Sequence, residues 1–377
     1  MKVLAITSFF SPHKGGVESY VFNLATSLFQ RGVETDVLTC NTEDAPSEET
    51  FAFGRIFRLD AWNFLNGMYP IPKFTMRNFA TIRNLKHRKY DVYHTHTRFY
   101  LLTFLMSLLA RWRRIPQVHT EHGSSSPQLS QLYQSFIART FDQILGRFPF
   151  RCARKVTAVS HAAEVFSQSL GAKHVRIIPV GAQQLQGVKF LPRESLGYSA
   201  NDLILVFAGR LIEAKGVQDI LAILPRLQYP CLVFCIIGDG PYRKTLEQLP
   251  QAHCEVQFMG VLEHQQVLQY LAIADIVVNP SYTEGMPTTV LEAAVLGRAI
   301  VATDVGGTRE ILQSTNEGRL YPPGNLEQLT SHLNHLLREP SLRKQLGEQA
   351  QRRVRSFPTW DEIATDFIST YETAVAS

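Results

Sequence analysis

Two glutamates flank a helix start in the segment TEGMPTTVLEAAVLG, residues 283–297. Glu284 precedes a Pro-Thr-Thr step, and Glu292 follows that step by a little over one turn. Pro287 suits the first turn of a helix because its missing N–H would have no partner there. The next three amides can bind an anion, which the helix dipole also favours. The spacing predicts that this helix end holds a nucleotide diphosphate, with Glu292 reaching ribose hydroxyls and Glu284 the hexose beyond. A capping glutamate on a plain amphipathic helix explains Glu292 alone, but not the pair.

Two basic residues follow an apolar run in the segment VFAGRLIEAKGVQDIL. Arg210 and Lys215 lie in a loop that opens a helix, between Gly209 and Gly216. A guanidinium binds a diphosphate as a bidentate fork, and an ammonium binds it as a point charge. The alternative is a pair of ordinary surface residues, but the two glycines favour a shaped loop. We therefore predict that both cations bind a diphosphate leaving group.

Gly15 and Gly16 follow the first apolar run and precede a helical pattern whose apolar face includes Val17 and Leu24. Glycines at such a place let backbone N–H groups approach a phosphate or a sugar. The segment is not a G-x-G-x-x-G fingerprint, and a tight strand-to-helix turn explains it as well.

Four histidines end two further apolar runs, His94 and His96 in YHTHT and His119 and His122 in VHTEHG. Imidazoles cluster around zinc, so a metal site is one hypothesis. The other is a set of polar side chains that line a sugar pocket, since Glu121 is the only carboxylate nearby and no cysteine accompanies them. His94 and His96 share one face of a strand, whereas His119 and His122 do not. His122, at the strand end, is best placed to point into a cleft.

Charge is distributed unevenly along the chain. Residues 1–180 carry 22 Lys and Arg against 12 Asp and Glu, and residues 181–377 carry 16 against 21. A basic half implies an anionic partner, but no nucleic-acid reading motif is present, so we expect no nucleic-acid partner. The tracts IRNLKHRK and ARWRR lie near the apolar run FYLLTFLMSLLA, residues 99–110, as at the surface of an anionic membrane. A solvated basic face remains the alternative.

The five cysteines are scattered and odd in number, which favours a reducing compartment over a disulfide framework. Cys231 and Cys235 lie in an apolar run, where we expect core positions. No signal peptide is apparent at the start of the chain. We therefore expect a cytoplasmic protein, peripheral at the inner face of a membrane if the membrane hypothesis holds.

The elements that must position these residues repeat twice along the chain. Apolar runs at residues 2–9, 34–40, 91–97, 116–122 and 155–160 are predicted strands, separated by helices such as 17–30 and 101–112. The pattern restarts at 203–209, 231–238, 255–260, 275–281 and 299–305. Strand–helix–strand repetition predicts parallel sheets whose ligands lie beyond the carboxyl ends of the strands. The fold class is therefore α/β with two Rossmann-like domains, residues 1–180 and 181–359. A last helix is predicted from Trp360 to about Val375.

These segments resemble the retaining GT-B glycosyltransferases of family 4. The resemblance rests on GGVE after the first strand, EHG, AGRLIEAKG, GDGP, VGGTREIL and the E-x7-E element from Glu284 to Glu292. It implies two Rossmann-like domains that face a central cleft, an acceptor-binding first domain and a nucleotide-sugar-binding second one. It also implies that the helix at 360–377 packs back on the first domain.

The resemblance also implies a role for each matching residue. Glu284, His122, Arg210 and Lys215 would act in catalysis, with His122 at the hexose and both cations on the diphosphate. Val261 would lie by the nucleotide base, and Glu292 would bind the ribose. The full set of implied substrate-binding residues is Gly15, Gly16, His96, Gly209, Val261, Gly285, Met286, Pro287, Thr288, Thr289 and Glu292.

Three features bear on how the family's reaction would proceed here. Val180 replaces a frequent Asn and Arg309 a frequent Pro, while Glu310 is kept, so donor identity is open. No D-x-D motif, the usual holder of a metal in such enzymes, occurs in the sequence. Charge on the departing diphosphate would then be balanced by Arg210, Lys215 and the helix end, with no metal or other cofactor. The resemblance implies front-face transfer with retention, so no enzymic nucleophile is needed.

We therefore predict transfer of a hexose-type sugar from a UDP- or GDP-sugar to a lipid-linked or glycan acceptor, as in cell-envelope, polysaccharide or glycolipid synthesis. One alternative is a non-catalytic sugar-nucleotide or lipid-binding protein with the same fold. A nicotinamide oxidoreductase is a further alternative, but it would need G-x-G-x-x-G after the first strand, which is missing.

Overall fold

The computed structural model describes residues 1–65, 67–126, 140, 142–182, 190–229, 231–249 and 254–377. The chain forms two compact units. Unit 1 comprises residues 1–181 and 358–377, and unit 2 comprises residues 182–357.

Unit 1 is built on a sheet whose central strands are parallel, as the alternation of strands and helices predicts. The strands lie in the order β3, β4, β2, β1, β6, β7, β8, β9; β3 and β5 each pair antiparallel with β4. Their bounds are β1 Lys2–Ile6, β2 Glu34–Asn41, β3 Glu48–Phe51, β4 Gly54–Phe64, β5 Tyr69–Pro72, β6 Val92–His96, β7 Gln117–Glu121, β8 Lys155–Ala158 and β9 Val175–Ile177.

Unit 2 has a fully parallel sheet among its described residues. Its strands are β10 Leu203–Ala208, β11 Leu232–Ile237, β12 Glu255–Gly260, β13 Ile276–Asn279, β14 Ala299–Thr303 and β15 Arg319–Tyr321. They lie in the order β12, β11, β10, β13, β14, β15, with the direction of winding reversing between β10 and β13. Ligands of such sheets bind beyond the carboxyl ends of the strands near this reversal.

Helices connect the strands and cover the sheets. In unit 1 they are α1 Gly16–Gln30, α2 Met76–His87, α3 Leu101–Arg113, α4 Arg147–Cys152 and α5 His161–Ser169. In unit 2 they are α6 Val217–Ile223, α7 Arg243–Glu247, α8 His264–Ile273, α9 Thr288–Val295, α10 Thr308–Ile311, α11 Leu326–Arg338 and α12 Pro340–Val354. The helix α13 Trp360–Ala376 belongs to unit 1.

Helix α13 returns to unit 1 after the whole of unit 2, as the family resemblance implies. It begins with a capping box between Thr359 and Glu362, which satisfies two amides of its first turn. Its buried Phe367 and Tyr371 pack toward the sheet, and the Tyr371 hydroxyl lies 2.8 Å from Nδ1 of His94 on β6. Arg31 pairs with Asp361 at the other end of the contact. The helix therefore covers one face of the unit 1 sheet.

The predicted strands and long helices are observed, with three differences. The strands β3, β4, β5, β9 and β15 were not predicted, because their segments carry no clean alternation or are only three residues long. Cys231 lies just before β11 and is exposed, so its predicted core position is wrong, whereas Cys235 is buried. The apolar run at 99–110 packs Leu102 and Met106 into the core, which accounts for much of its hydrophobicity. No helix in the described ranges is both long enough and apolar enough to span a bilayer.

Candidate active site

The carboxylate of Glu284 is held in place by two neighbours within unit 2. Its Oε1 lies 2.6 Å from Nζ of Lys215 and 2.7 Å from Oγ of Ser281, which also lies 2.8 Å from Oδ1 of Asn279. Ser281 is fully buried, and its carbonyl accepts a hydrogen bond from Thr303 Oγ1. Two of the predicted site residues, Glu284 and Lys215, are therefore in direct contact although 69 positions separate them.

Two glycines allow the loops that carry these residues to approach each other closely. Gly216 has φ +71°, and a Cβ there would lie 2.0 Å from the carbonyl oxygen of Pro280. Gly306 has φ +54°, and a Cβ there would lie 1.9 Å from the carbonyl oxygen of Glu284. Neither contact would tolerate a side chain, so both glycines fix the position of the loop from residue 280 to 285.

The amino end of α9 lies beside the carboxyl end of β10. Helix α9 begins at Thr288, and Pro287 is its N-cap. The proline therefore lies one position before the first turn, in which we had predicted it. Thr289 Oγ1 donates a hydrogen bond of 3.0 Å to the carbonyl of Ala208. The next residues along the chain are Gly209 and Arg210, which are partly exposed. Arg210, Lys215, Glu284 and the α9 amides are thus grouped at one edge of the unit 2 sheet.

Glu292 has a partner that sequence reasoning missed. Its Oε1 lies 2.8 Å from Nε2 of His264, the first residue of α8. The hydrogen bond to Glu292 raises the pKa of His264 above its ordinary value, against a smaller effect of burial. Both side chains remain partly exposed, at 16% for Glu292 and 46% for His264. The carboxylate that we predict to bind ribose is therefore paired in the free protein by a group that can titrate.

The remaining predicted residues of unit 2 lie around this edge with different exposures. Val261 follows β12 and is 56% exposed. The Gly285 carbonyl accepts a hydrogen bond from the Gly307 amide at 2.7 Å. The Met286 side chain is buried, so only its backbone is available to a ligand. Arg309, which replaces the family's proline, pairs with Asp304 at the surface.

The histidines of unit 1 are divided between the two faces of the sheet. His94 and His96 share a face, with ring centroids 4.0 Å apart, and Nδ1 of His96 lies 3.1 Å from Nε2 of His122. His119 points to the other face, where its ring meets Phe150 edge-on. Burial lowers the pKa of His122 to about 4, and that of His96 falls well below its ordinary value for the same reason. At neutral pH both rings are uncharged.

No trio of His, Cys, Asp or Glu side chains in the described part of the chain is arranged to hold a metal ion. His94 instead uses both ring nitrogens on protein groups, the Tyr371 hydroxyl and Oγ1 of Thr120 at 2.6 Å. Nε2 of His96 is buried and has no partner among the described residues. The ring nitrogens of His94 are therefore used within unit 1, and one nitrogen of His96 is left for another group.

A buried charge cluster supports His122 and was not anticipated. Arg98 contacts Oε1 of Glu121 and Oδ2 of Asp142, each at 2.9 Å. The same Glu121 oxygen accepts the amides of His122 and Gly123, at 2.9 and 2.7 Å. Burial opposes ionisation of Glu121, but Arg98 and these hydrogen bonds hold its pKa well below the ordinary value. Arg98 therefore fixes the turn that presents His122.

Gly15 is in close contact with a side chain of its own helix. The carboxylate of Glu18 lies over it, so a Cβ at Gly15 would be 2.4 Å from Oε2. Glu18 Oε1 in turn lies 2.8 Å from Nδ1 of His13, which stacks on Phe9. Gly16 is the first residue of α1 and is exposed. The GGVE segment therefore combines a tight turn with an exposed helix start.

Arg98 and His264 were missed because their partners lie more than 20 positions away in the chain. Ser281 was also missed, although its partners Asn279 and Glu284 are close to it in the chain. Arg98 does stand out in HTHTRF as a lone cation directly after a strand, and His264 as an isolated imidazole after the FMG glycine turn. Both are signals that the sequence contains, although neither identifies the partner.

Two family models match the chain, one in each half. The model described as Glycosyltransferase Family 4 matches residues 14–183, and the one described as Glycosyl transferases group 1 matches residues 190–353. An uncharacterised glycosyltransferase of Methanocaldococcus jannaschii is 24% identical, over 100% of this chain and 99% of its own length. The gpi3 subunit of phosphatidylinositol N-acetylglucosaminyltransferase of Schizosaccharomyces pombe is 26% identical, over 95% of this chain and 78% of its own length.

The fold agrees with these matches. Anabaena HepE, solved in complex with UDP and glucose, superposes with a TM-score of 0.78 at 20% identity, covering 99% of this chain and all of its own. One assignment accounts for the parallel sheets of both units, the return of α13 to unit 1 and the two family-model matches. The chain belongs to the family 4 glycosyltransferases, with the GT-B type of fold.

Proposed function

We propose that this glycosyltransferase moves a hexose-type sugar from a UDP- or GDP-sugar to a hydroxyl of a lipid-linked or glycan acceptor, with retention and without a metal ion. The observation that carries the proposal is the contact between Lys215 and Glu284 beside the amino end of α9. A cation, a carboxylate and free helix amides together suit a sugar diphosphate, which carries hydroxyls at one end and negative charge in the middle.

Unit 2 holds the donor in this proposal. Arg210 and Lys215 bind the diphosphate, and the amides of Thr288 and Thr289 extend the positive potential along it. Glu292 binds the ribose hydroxyls, with the base against Val261. Glu284 accepts hydrogen bonds from the hexose and stabilises the positive charge that develops on its ring.

Bond breaking at the anomeric carbon adds one negative charge to a diphosphate that already carries two. Preorganised cations and dipoles stabilise such charge without having to reorganise during the reaction. Lys215 is already oriented by Glu284 at 2.6 Å, so little ordering is needed when the donor binds. The absence of D-x-D from the sequence supports a reaction in which these protein groups take the place of a metal. The acceptor hydroxyl attacks from the face that the nucleotide leaves, which retains the anomeric configuration.

In this proposal unit 1 binds the acceptor, and its candidates for contacts with sugar hydroxyls are His122, His96 and the Gly15–Gly16 segment. Because His122 is neutral at physiological pH, it can either donate to or accept from a sugar hydroxyl. A lipid-linked acceptor is supported by the name of the S. pombe relative, and a UDP-sugar by the ligand named with HepE. The five cysteines, all in the described part of the chain, are free, which supports a cytoplasmic location.

The proposal is tested by measuring donor binding and turnover with the full chain. A panel of UDP- and GDP-sugars is screened by thermal shift, since a ligand at 100 times its Kd stabilises the folded state by about 2.7 kcal/mol. With the donor that binds, release of nucleoside diphosphate is followed with and without EDTA, and the anomeric configuration of the product is read by NMR. We expect EDTA-insensitive release and a retained configuration.

Each other outcome contradicts one part of the proposed function. Loss of activity in EDTA with recovery on Mg²⁺ would contradict metal independence. An inverted product would contradict front-face transfer. Donor binding without turnover across lipid and glycan acceptors would instead favour the non-catalytic binding protein.

A further inference from the structure

Helix α2 exposes large apolar side chains that the core does not use. Met76 is 85% exposed, and Phe79, one turn later, is 56% exposed. Phe74, just before the helix, is 72% exposed. The inner face of the same helix is already packed, since Leu85 is buried in the unit 1 core. The outward apolar residues therefore need an explanation other than folding.

Hydrogen bonds fix the start of α2, and with it the outward direction of these side chains. Thr75 caps α2 by accepting from the Asn78 amide at 3.2 Å. The Asn78 side chain donates to the carbonyls of Asp60 and Lys73, at 2.9 and 2.8 Å, and accepts from the Asp60 amide at 2.9 Å. Asn78 is itself buried. The start of α2 is thus anchored on the strands β4 and β5.

The strand β4, to which Asn78 anchors α2, carries a second group of exposed apolar side chains. Beyond Asp60, β4 pairs with β5 in a hairpin in which Trp62 opposes Ile71 and Phe64 opposes Tyr69. Trp62 and Phe64 are about half exposed and lie on one face of the strand. We call the exposed apolar and basic side chains of residues 62–86 the α2 surface.

The α2 surface is also strongly cationic. Residues 61–90 contain six Lys and Arg and no Asp or Glu. Arg83 and Lys86 follow Phe79 by four and seven positions, so they lie on the same side of the helix. Both are exposed, and neither has an ion-pair partner within the described residues. Arg88, in contrast, is paired with Asp36 at 2.8 Å.

We propose that the α2 surface docks on an anionic lipid bilayer. Apolar side chains at the front insert between headgroups while Arg83, Lys86 and Lys73 meet the lipid charges, which is how amphipathic interfacial helices bind. A nucleic acid would use the cations but not the apolar group. A second copy of this chain would bring like charges together. The apolar run at 99–110 does not form this surface, because Leu102 and Met106 are buried.

The proposal does not depend on sugar transfer, and its test measures binding alone. The full chain is floated with phosphatidylcholine vesicles and with vesicles that also contain phosphatidylglycerol. We expect binding to the anionic vesicles to be at least tenfold stronger, and to weaken with salt because the screening length falls from about 10 Å at 0.1 M to about 3 Å at 1 M.

Two variants separate the contributions. Phe74→Ser/Met76→Ser/Phe79→Ser is expected to weaken binding at least tenfold, while Val165→Ser/Val375→Ser, which removes exposed apolar groups elsewhere in unit 1, stays within twofold of the wild type. Arg83→Gln/Lys86→Gln should lose about 25-fold on anionic vesicles, at about fivefold per cation near the surface. The control Lys344→Gln/Arg352→Gln removes the same charge from exposed positions of unit 2.

Three outcomes would overturn the proposal. The wild type would fail to float with anionic vesicles at low salt, or the α2 variants would bind as tightly as their controls. The third is a wild type that is a dimer in light scattering while the apolar variant is a monomer, which would assign the α2 surface to self-association. Circular dichroism of each variant confirms that it is folded.

Discussion

The charged groups at the strand ends of unit 1 and unit 2 are compensated in different ways. In unit 1, Arg98 is 2% exposed and both of its carboxylate partners are fully buried. In unit 2, Lys215 is 26% exposed and Glu284 10%, and the pair of His264 and Glu292 is more open still. A buried cluster cannot release its partners without leaving a bare charge. Partly solvated pairs can exchange a protein partner for a ligand. The unit 1 charges therefore stabilise a turn, whereas the unit 2 pairs are open enough to bind the substrate that we propose.

The largest effect is expected from Arg98→Met, which leaves Glu121 and Asp142 unpaired. Removing one member of a buried charged pair costs about 3–5 kcal/mol of unfolding free energy. Urea denaturation measures the loss, and Arg98→Lys should recover part of it. Arg309→Met breaks an exposed pair and should cost less than about 1 kcal/mol. Equal losses for Arg98→Met and Arg309→Met would erase the contrast between the two units.

The opposite pattern is expected from Lys215→Met. Loss of a preorganised charge that stabilises the leaving group raises the barrier by about 2–4 kcal/mol, so kcat should fall by about 30- to 1,000-fold. The unfolding free energy should change by less than about 1 kcal/mol, because the pair with Glu284 is partly solvated. The exposed Lys244→Met is the matched control and should change neither quantity. A Lys215→Met protein with normal kcat would contradict the assigned role.

A smaller effect, and a pH dependence, is expected at His264. Its raised pKa means that the charged ring pairs with Glu292 at low pH and that this pair is lost as pH rises through the raised value. The small stability that it contributes disappears over the same range. Because the pair competes with ribose for Glu292, the donor KM should fall as pH rises above 6.5, by at most about fivefold.

His264→Gln tests this competition. The variant should keep the high-pH KM of the wild type at every pH, since no charged ring then pairs with the carboxylate. Initial rates over a pH series measure KM. A wild-type profile that the substitution leaves unchanged would show that His264 does not govern access to Glu292.

Much of the fold could be predicted because strand and helix periodicity is local. The runs VLAI and LILVFA are apolar throughout, as strands buried on both faces must be, and they form the sheet centres. The strands at 48–72 could not be predicted in this way, because Trp62 and Phe64 point to solvent where alternation would place polar residues.

The candidate site also has a part that local sequence predicts and a part that depends on contacts between distant segments. Glu284, Lys215 and the α9 start could be found from their places beside strand ends and a proline. The contact of Lys215 with Glu284 and the pairing of Glu292 with His264 depend on chain segments that only the tertiary structure brings together. Arg98 shows this most clearly, since its partner Asp142 is 44 positions away.

Unit 1 is interrupted in sequence, and this affects the order in which the protein forms during synthesis. Residues 182–357 leave the ribosome before residues 358–377, so unit 2 can complete its fold while the part of the unit 1 sheet that α13 covers is still exposed. During that interval His94 lacks its contact with Tyr371, and Tyr20 lacks its ring contact with Phe367. The nascent chain therefore passes through a stage with an uncovered apolar sheet, which is where we expect chaperone binding to be strongest.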